Sequence, residues 1–373
     1  MAELSIDVGS VVVLPKPRLD DLLAKLREKG YQTIGPRVGD GTVQYQLIRG
    51  ASEMPQGYTS EEEAGKYRLV SSGNSRYFDY TPGAQSWKQI FFPPRITLFD
   101  LCKNGGWKPV GSREASPRYA LVGVRPCEIA AIKIQDLAFL RTDFVDPVYQ
   151  ERRKNAFILA VNCLRPGGTC FCASMETGPQ LSSGYDLGLT EMDDIFLVDV
   201  GSAAGKDILV GMPVSKPDAV VLGKAKQAVD TAKTKMGRQL DISDLPDVLL
   251  KNLDHPEWEA VSKRCMSCAS CTLVCPTCFC WDTQDHSSLN GTETERERVW
   301  DSCFNPGYSY QAGGNTRPNV RSRYRQWLTH KLGSWKQQYG VLGCVGCGRC
   351  ITWCPVKIDI TEEIPALRKE TRS

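Results

Sequence analysis

Residues 265–276 read CMSCASCTLVCP, and residues 344–355 read CVGCGRCITWCP. Both are C-x2-C-x2-C-x3-C-P: Cys265, Cys268, Cys271 and Cys275 before Pro276, then Cys344, Cys347, Cys350 and Cys354 before Pro355. Three thiolates at C-x2-C-x2-C wrap three corners of one iron–sulfur cube, while the fourth opens the next segment and points to another cube. The proline lacks an N–H and resists helix continuation inside the ligand loop. The spacing predicts two 4Fe-4S clusters with crossed ligation: cluster 1 on Cys265, Cys268, Cys271 and Cys354, and cluster 2 on Cys344, Cys347, Cys350 and Cys275. The competing reading is a scaffold with structural four-cysteine zinc sites. Zinc ribbons use paired C-x2-C units rather than a tripled run closed by x3-C-P, and here the run occurs twice.

The rest of the composition fits a soluble, two-domain chain. There are 373 residues, too many for one typical core, with 41% hydrophobic and 24% charged residues. A net charge of +3 gives no electrostatic reason to expect nucleic acid as partner. The start, MAELSIDVGSVVVLPKPR, lacks a basic leader region, and no stretch reaches membrane-span length. A cytoplasmic location is expected, where thiols stay reduced, so 16 cysteines read as metal ligands or redox thiols. With only three histidines, His255, His286 and His330, mixed cysteine/histidine zinc sites are disfavoured.

Outward from the cysteine runs, the pattern predicts an α+β chain. Its N-terminal mixed α/β domain spans 1–245, and its C-terminal helical dicluster domain spans 246–373. Val11–Leu14 suits a strand, Leu19, Leu22, Leu23 and Leu26 recur at helical spacing up to Gly30, and Val43, Tyr45 and Leu47 alternate. Residues 51–118, rich in Gly, Pro and Ser, read as long loops. Strands are expected at Ala120–Val124, Ala156–Val161 and Ile195–Val200. Helices are expected at about 127–139 and 218–240, from near Pro256, and near 324–339. A polar stretch follows Cys280.

Cys127, Cys163, Cys170 and Cys172 lie in VGVRPCEI and NCLRPGGTCFCAS, at strand ends. Four such thiols can hold a third cluster, with Cys127 at a helix N-terminus that favours a thiolate; buried cysteines acting as small hydrophobes are the alternative. Cys278 and Cys280 are read as neighbours of cluster 1 or ligands of something else, and Cys102 and Cys303 as structural. Arg317, Arg321, Arg323, Arg325, Lys331 and Lys336 form a basic run that suits an anionic cube, a solvated helix face or a docking surface. No G-x-G-x-x-G after a strand, Walker A loop, H-E-x-x-H or G-x-S-x-G is present. The chain has electron-carrying sites and no catalytic centre of its own.

The 68 residues between Cys275 and Cys344 resemble the spacing of the alpha-helical ferredoxin domain of reductase and dehydrogenase subunits. GVRPCEIAAI at 123, NC-x6-CFC-x2-M-x-TGP at 162–179, CPTCFC at 275, WDSC at 300 and GCVGCGRC at 343 together resemble two related families. These are the beta subunit of cytoplasmic nickel–iron hydrogenases (sulfhydrogenases) and the A subunit of anaerobic sulfite reductase, matched from about 118 to 360. The resemblance implies an electron-transfer subunit that links a flavin- and NAD(P)-binding partner to the small and large nickel–iron subunits. The alternatives are the matching sulfite reductase subunit, or a self-contained reductase with catalytic N-terminal cysteines.

Overall fold

The computed structural model describes residues 6–103, 105–109, 116–141 and 143–369. Residues 1–5 of the leader reading, and 104 and 110–115 of the stretch expected to be loop, lie outside it. The N-terminal part is built on a seven-stranded sheet in the order Val11–Pro15, Ile195–Val200, Leu187–Glu191, Phe157–Val161, Tyr119–Val124, Gln32–Gly39, Thr42–Leu47. The middle four strands are parallel, and the three outer pairings are antiparallel.

Side-chain alternation sends each central strand into two cores. Val122 and Leu159 face Leu19, Leu22, Leu23 and Leu26 of the helix Leu19–Glu28. Leu121 and Ile158 face Ile129, Ile132 and Phe139 of the helix Pro126–Phe139, with Trp87, Phe91 and Phe92. The strand Gln32–Gly39 contains a proline, yet its parallel pairing with Tyr119–Val124 ends at Ile34↔Leu121. The absent N–H of Pro36 therefore breaks no parallel ladder bond.

The expected strands and helices of the cores are present. The 218–240 pattern becomes the helix Ala219–Thr234, and 324–339 becomes Val320–Thr329, one wide π turn and Trp335–Tyr339. Two segments differ from expectation. Within 51–118, Tyr58–Glu63 and Lys66–Ser71 form a hairpin and Arg95–Lys103 a strand. The polar stretch after Cys280 is a second hairpin, Trp281–Ser287 with Glu293–Trp300, and its second strand pairs antiparallel with Arg95–Lys103. WDTQDHS is exposed throughout, so it carries no apolar alternation by which a strand would be read.

The C-terminal part has its own core of Leu245, Leu249, Trp258, Val261, Tyr324, Trp327, Leu328, Leu332 and Ile364. It is locked to the N-terminal part beside the cysteines. The turn of the first hairpin reaches over, with Gly65 N–H donating to Ile351 O at 3.1 Å, and Tyr67 stacks on Trp353.

Candidate functional site

The two cysteine runs fold alike. Ser267 and Ala269 in the first occupy the same motif positions as Gly346 and Gly348 in the second, and all four are left-handed, with φ of 53°, 64°, 63° and 74°. Each loop turns an amide onto its first sulfur: Ser267 N–H to Cys265 Sγ and Gly346 N–H to Cys344 Sγ, both 3.4 Å. Each then enters a single helical turn, Ser270–Leu273 or Arg349–Thr352. Ile358 N–H donates to Cys354 Sγ at 3.3 Å. Such amide–sulfur bonds favour charge on the sulfur.

Cys265, Cys268, Cys271 and Cys354 line one cavity, so the last cysteine of the second run joins the first three of the first. Phe304, Tyr324, Trp327 and Ile358 make its apolar wall, and Cys350 is also in it. Cys268 is exposed, and beside it Met266 and Leu273 present apolar side chains to solvent. Cys275 in turn lies close enough to Cys344, Cys347 and Cys350 for their charges to act on one another.

Lys331, from the basic run, is buried here. Its Nζ donates to Cys275 Sγ at 3.3 Å, Thr277 Oγ1 at 2.9 Å and Gly343 O at 3.3 Å. Burial alone would lower this ammonium, but the facing Cys275, Cys278 and Cys344 hold it well above its ordinary value. Cys278, then Lys331 and Thr277, hold the Cys275 thiol well below the ordinary range despite its burial.

The four N-terminal cysteines also meet. Tyr119–Val124 and Phe157–Val161 are parallel, so the segments leaving their C-terminal ends, Arg125–Cys127 and Asn162–Cys163, emerge at one sheet edge. A bulge at Gly123, φ +83°, turns the chain there; a Cβ at that position would lie 2.7 Å from the Phe78 ring. Cys127, Cys163, Cys170 and Cys172 line one cavity together with Arg125, Pro126, Cys347 and Arg349. The helix N-terminus does not dominate at Cys127. Burial first, then Cys172 and Cys347, push its thiol well above the ordinary value, and burial does the same to Cys170.

Arg125 is 2% exposed. Its Nη2 donates to Phe78 O at 2.7 Å and Tyr80 O at 2.9 Å, while Nη1 has no partner among the described residues. A buried, half-satisfied guanidinium beside four thiols suits an anionic group.

The second cysteine run is wedged against this cavity. Phe171 N–H donates to Gly346 O at 2.8 Å, and a Cβ on Gly346 would lie 2.6 Å from Phe171 O. Arg349, between Cys347 and Cys350, pairs with Glu128 at 2.6 Å, the two side chains being 4% and 1% exposed. Glu128 also accepts from Tyr45 Oη at 3.0 Å, Trp87 Nε1 at 3.1 Å and Arg125 N–H at 3.1 Å. A buried ion pair is tolerable when its remaining lone pairs are bonded in this way. Sequence reasoning passed over this pair and Lys331's contact with Cys275. Glu128 stood in the quoted GVRPCEIAAI block, but nothing in the sequence joins it to a residue 221 positions away.

Paired three-plus-one thiol sets on repeated loops define a 4Fe-4S dicluster protein, and the family model described as the 4Fe-4S dicluster domain matches residues 264–358. Over 310 residues the chain is 32% identical to the sulfhydrogenase 2 subunit beta of Pyrococcus furiosus, covering 82% of this chain and 89% of that protein. The chain belongs to the family of sulfhydrogenase beta subunits. No solved structure matches it. Among the described residues, no helix is long and apolar enough to cross a membrane.

Proposed function

We propose that this chain is the iron–sulfur electron-transfer subunit of a cytoplasmic nickel–iron hydrogenase complex. It relays electrons between a flavin- and NAD(P)-binding partner and the small and large catalytic subunits, and has no catalytic site of its own. Residues 1–245 form the α/β domain, and residues 246–373 the alpha-helical ferredoxin domain. Cys265, Cys268, Cys271 and Cys354 hold cluster 1, Cys344, Cys347, Cys350 and Cys275 hold cluster 2, and Cys127, Cys163, Cys170 and Cys172 hold a third cluster. When bound, the 4Fe-4S groups supply one-electron redox chemistry.

The observation that carries this reading is the shared walls. Cys350 of the second run lines the cavity of cluster 1, and Cys347 lines the cavity of the N-terminal thiols. One loop thus stands between both spaces, and three sites in a row suit a relay. The donor sets fit the groups. Four thiols crowded together, most of them shielded from solvent, repel one another as thiolates and become tenable once iron replaces their protons. Among the described residues no three Cys, His, Asp or Glu side chains converge on a point that would hold a single ion, and thiols spaced around a cavity suit a larger core than one zinc. Lys331 and Arg125 bring positive charge to anionic groups. Exposed Cys268, with Met266 and Leu273, marks the face on which a partner docks.

Iron and acid-labile sulfide per chain, with paramagnetic resonance of the reduced protein, test the reading. About twelve irons are expected, falling to about eight in Cys170→Ser. About eight in both removes the third site, and zinc in place of iron removes the relay. In the complex, Cys347→Ala should abolish NAD(P)-linked turnover and spare dye-linked hydrogenase activity; equal loss of both counts against a relay.

A further inference from the structure

Cys280 and Cys303 belong to none of these sites. The exposed hairpin closes at Trp281↔Trp300, and one step further Asp301 N–H donates to Cys280 O at 2.9 Å. This sets Cys280 against the turn 301–304. The turn is fixed: Ser302 Oγ accepts from Phe304 N–H at 3.1 Å and bonds Thr272 Oγ1 at 2.7 Å. Cys303 and Tyr308 thus stand beside the Cys280 sulfur, near enough for both to act on its charge. Both cysteines are half-buried, and Trp281 beside them is 45% exposed, so the pair lies within reach of small solutes.

We propose that Cys280 and Cys303 form a reversible disulfide site, closed by exchange with a low-molecular-weight disulfide and reopened by a dithiol. The Cys280 sulfur attacks one sulfur of R–S–S–R; that bond breaks, a mixed disulfide forms on Cys280, and one RS⁻ departs. The Cys303 sulfur then attacks Cys280 Sγ, forming the intramolecular bond and releasing the second RS⁻, which takes the Cys303 proton. Two protein thiols are oxidised and one external disulfide is reduced to two thiols.

The division of roles follows from the donors. The Cys303 thiol bond, ahead of the opposing burial, brings Cys280 down to about 6, so it is a thiolate near neutrality. The same bond, with burial, pushes Cys303 up and keeps it a thiol until the resolving step. Lys331 favours charge on both sulfurs. The inference does not depend on the iron–sulfur assignment.

The test uses the full chain, purified without oxygen and equilibrated in mixtures of reduced and oxidised dithiothreitol, with free thiols alkylated and peptides mapped. A Cys280–Cys303 cross-linked peptide should grow with the oxidised fraction and vanish with excess dithiol, at constant iron content. With oxidised glutathione, Cys303→Ser should trap glutathione on Cys280. Independent alkylation of both thiols at every ratio in the wild-type chain overturns the proposal. So does a fall in iron content in a folded Cys280→Ser chain, which would make Cys280 a ligand. The wild-type iron count reports on the clusters separately.

Discussion

Glu128→Gln is the sharpest test of how the two halves hold the cysteines. The amide keeps the volume of the carboxylate, so no cavity opens. It removes the charge opposite Arg349, whose guanidinium is 4% exposed and also donates to Gly83 O at 3.1 Å. Uncompensating one member of a buried pair is destabilising by about 3–5 kcal/mol. The amide N–H₂ must then face either Arg349 or the Trp87 and Arg125 N–H groups, which can only donate, and this adds to that loss. With a urea slope of about 3 kcal/mol per molar, the unfolding midpoint should fall by about 1 M or more. Tryptophan fluorescence under anaerobic conditions reads it directly, since Trp87 donates to Glu128. Arg349→Met in the Glu128→Gln background removes the stranded cation, so the two changes should couple by about 2 kcal/mol. Additivity within about 0.5 kcal/mol would refute the pair as the tie between the helix Pro126–Phe139 and the second cysteine run.

Lys331→Gln takes away the ammonium at Cys275 and should lower one reduction potential by about 60 mV or more, the equivalent of ~1.4 kcal/mol for one electron; paramagnetic titration that finds all potentials unchanged counts against the contact. Gly346→Ala puts a Cβ 2.6 Å from Phe171 O at φ +63°, so a loss of at least about 2 kcal/mol and faster iron release to a chelator are expected. Burial first, with Lys331 and Arg317, lowers His330 to about 4. The unfolded chain therefore binds more protons below about pH 6.5, and stability present above that pH is lost as pH falls towards about 4, roughly 3 kcal/mol in all. His330→Phe, in contact with Phe279 and Trp335, should flatten that acid slope in thermal melts recorded across it.

The cysteine pattern was legible because ligand loops are local: spacing alone fixes which sulfurs share a turn. Gly346 and Gly348 also announced left-handed positions, whereas Ser267 and Ala269, with the same backbone, did not. The N-terminal four could be grouped from their place at strand ends, since parallel strands deliver their C-termini to one edge. What sequence could not supply was the join. Glu128 and Arg349 are ordinary charged residues until the fold brings them within 2.6 Å. The apolar residues of Arg95–Lys103 slip out of step at a bulge between Thr97 and Phe99, and Glu293–Trp300 is mostly charged, so neither strand keeps one period to read. Cys280 and Cys303 stand far apart along the chain, and only the hairpin between them brings the two segments side by side.

That shared sheet has a consequence for biogenesis. The strand Arg95–Lys103 must wait for Glu293–Trp300, a segment made nearly two hundred residues later on the ribosome. Until then a strand edge stands open beside the nascent N-terminal part. The sheet therefore closes only when most of the second half has been synthesised, and a chain truncated before about residue 293 should bind cross-β reporters or chaperones rather than fold quietly.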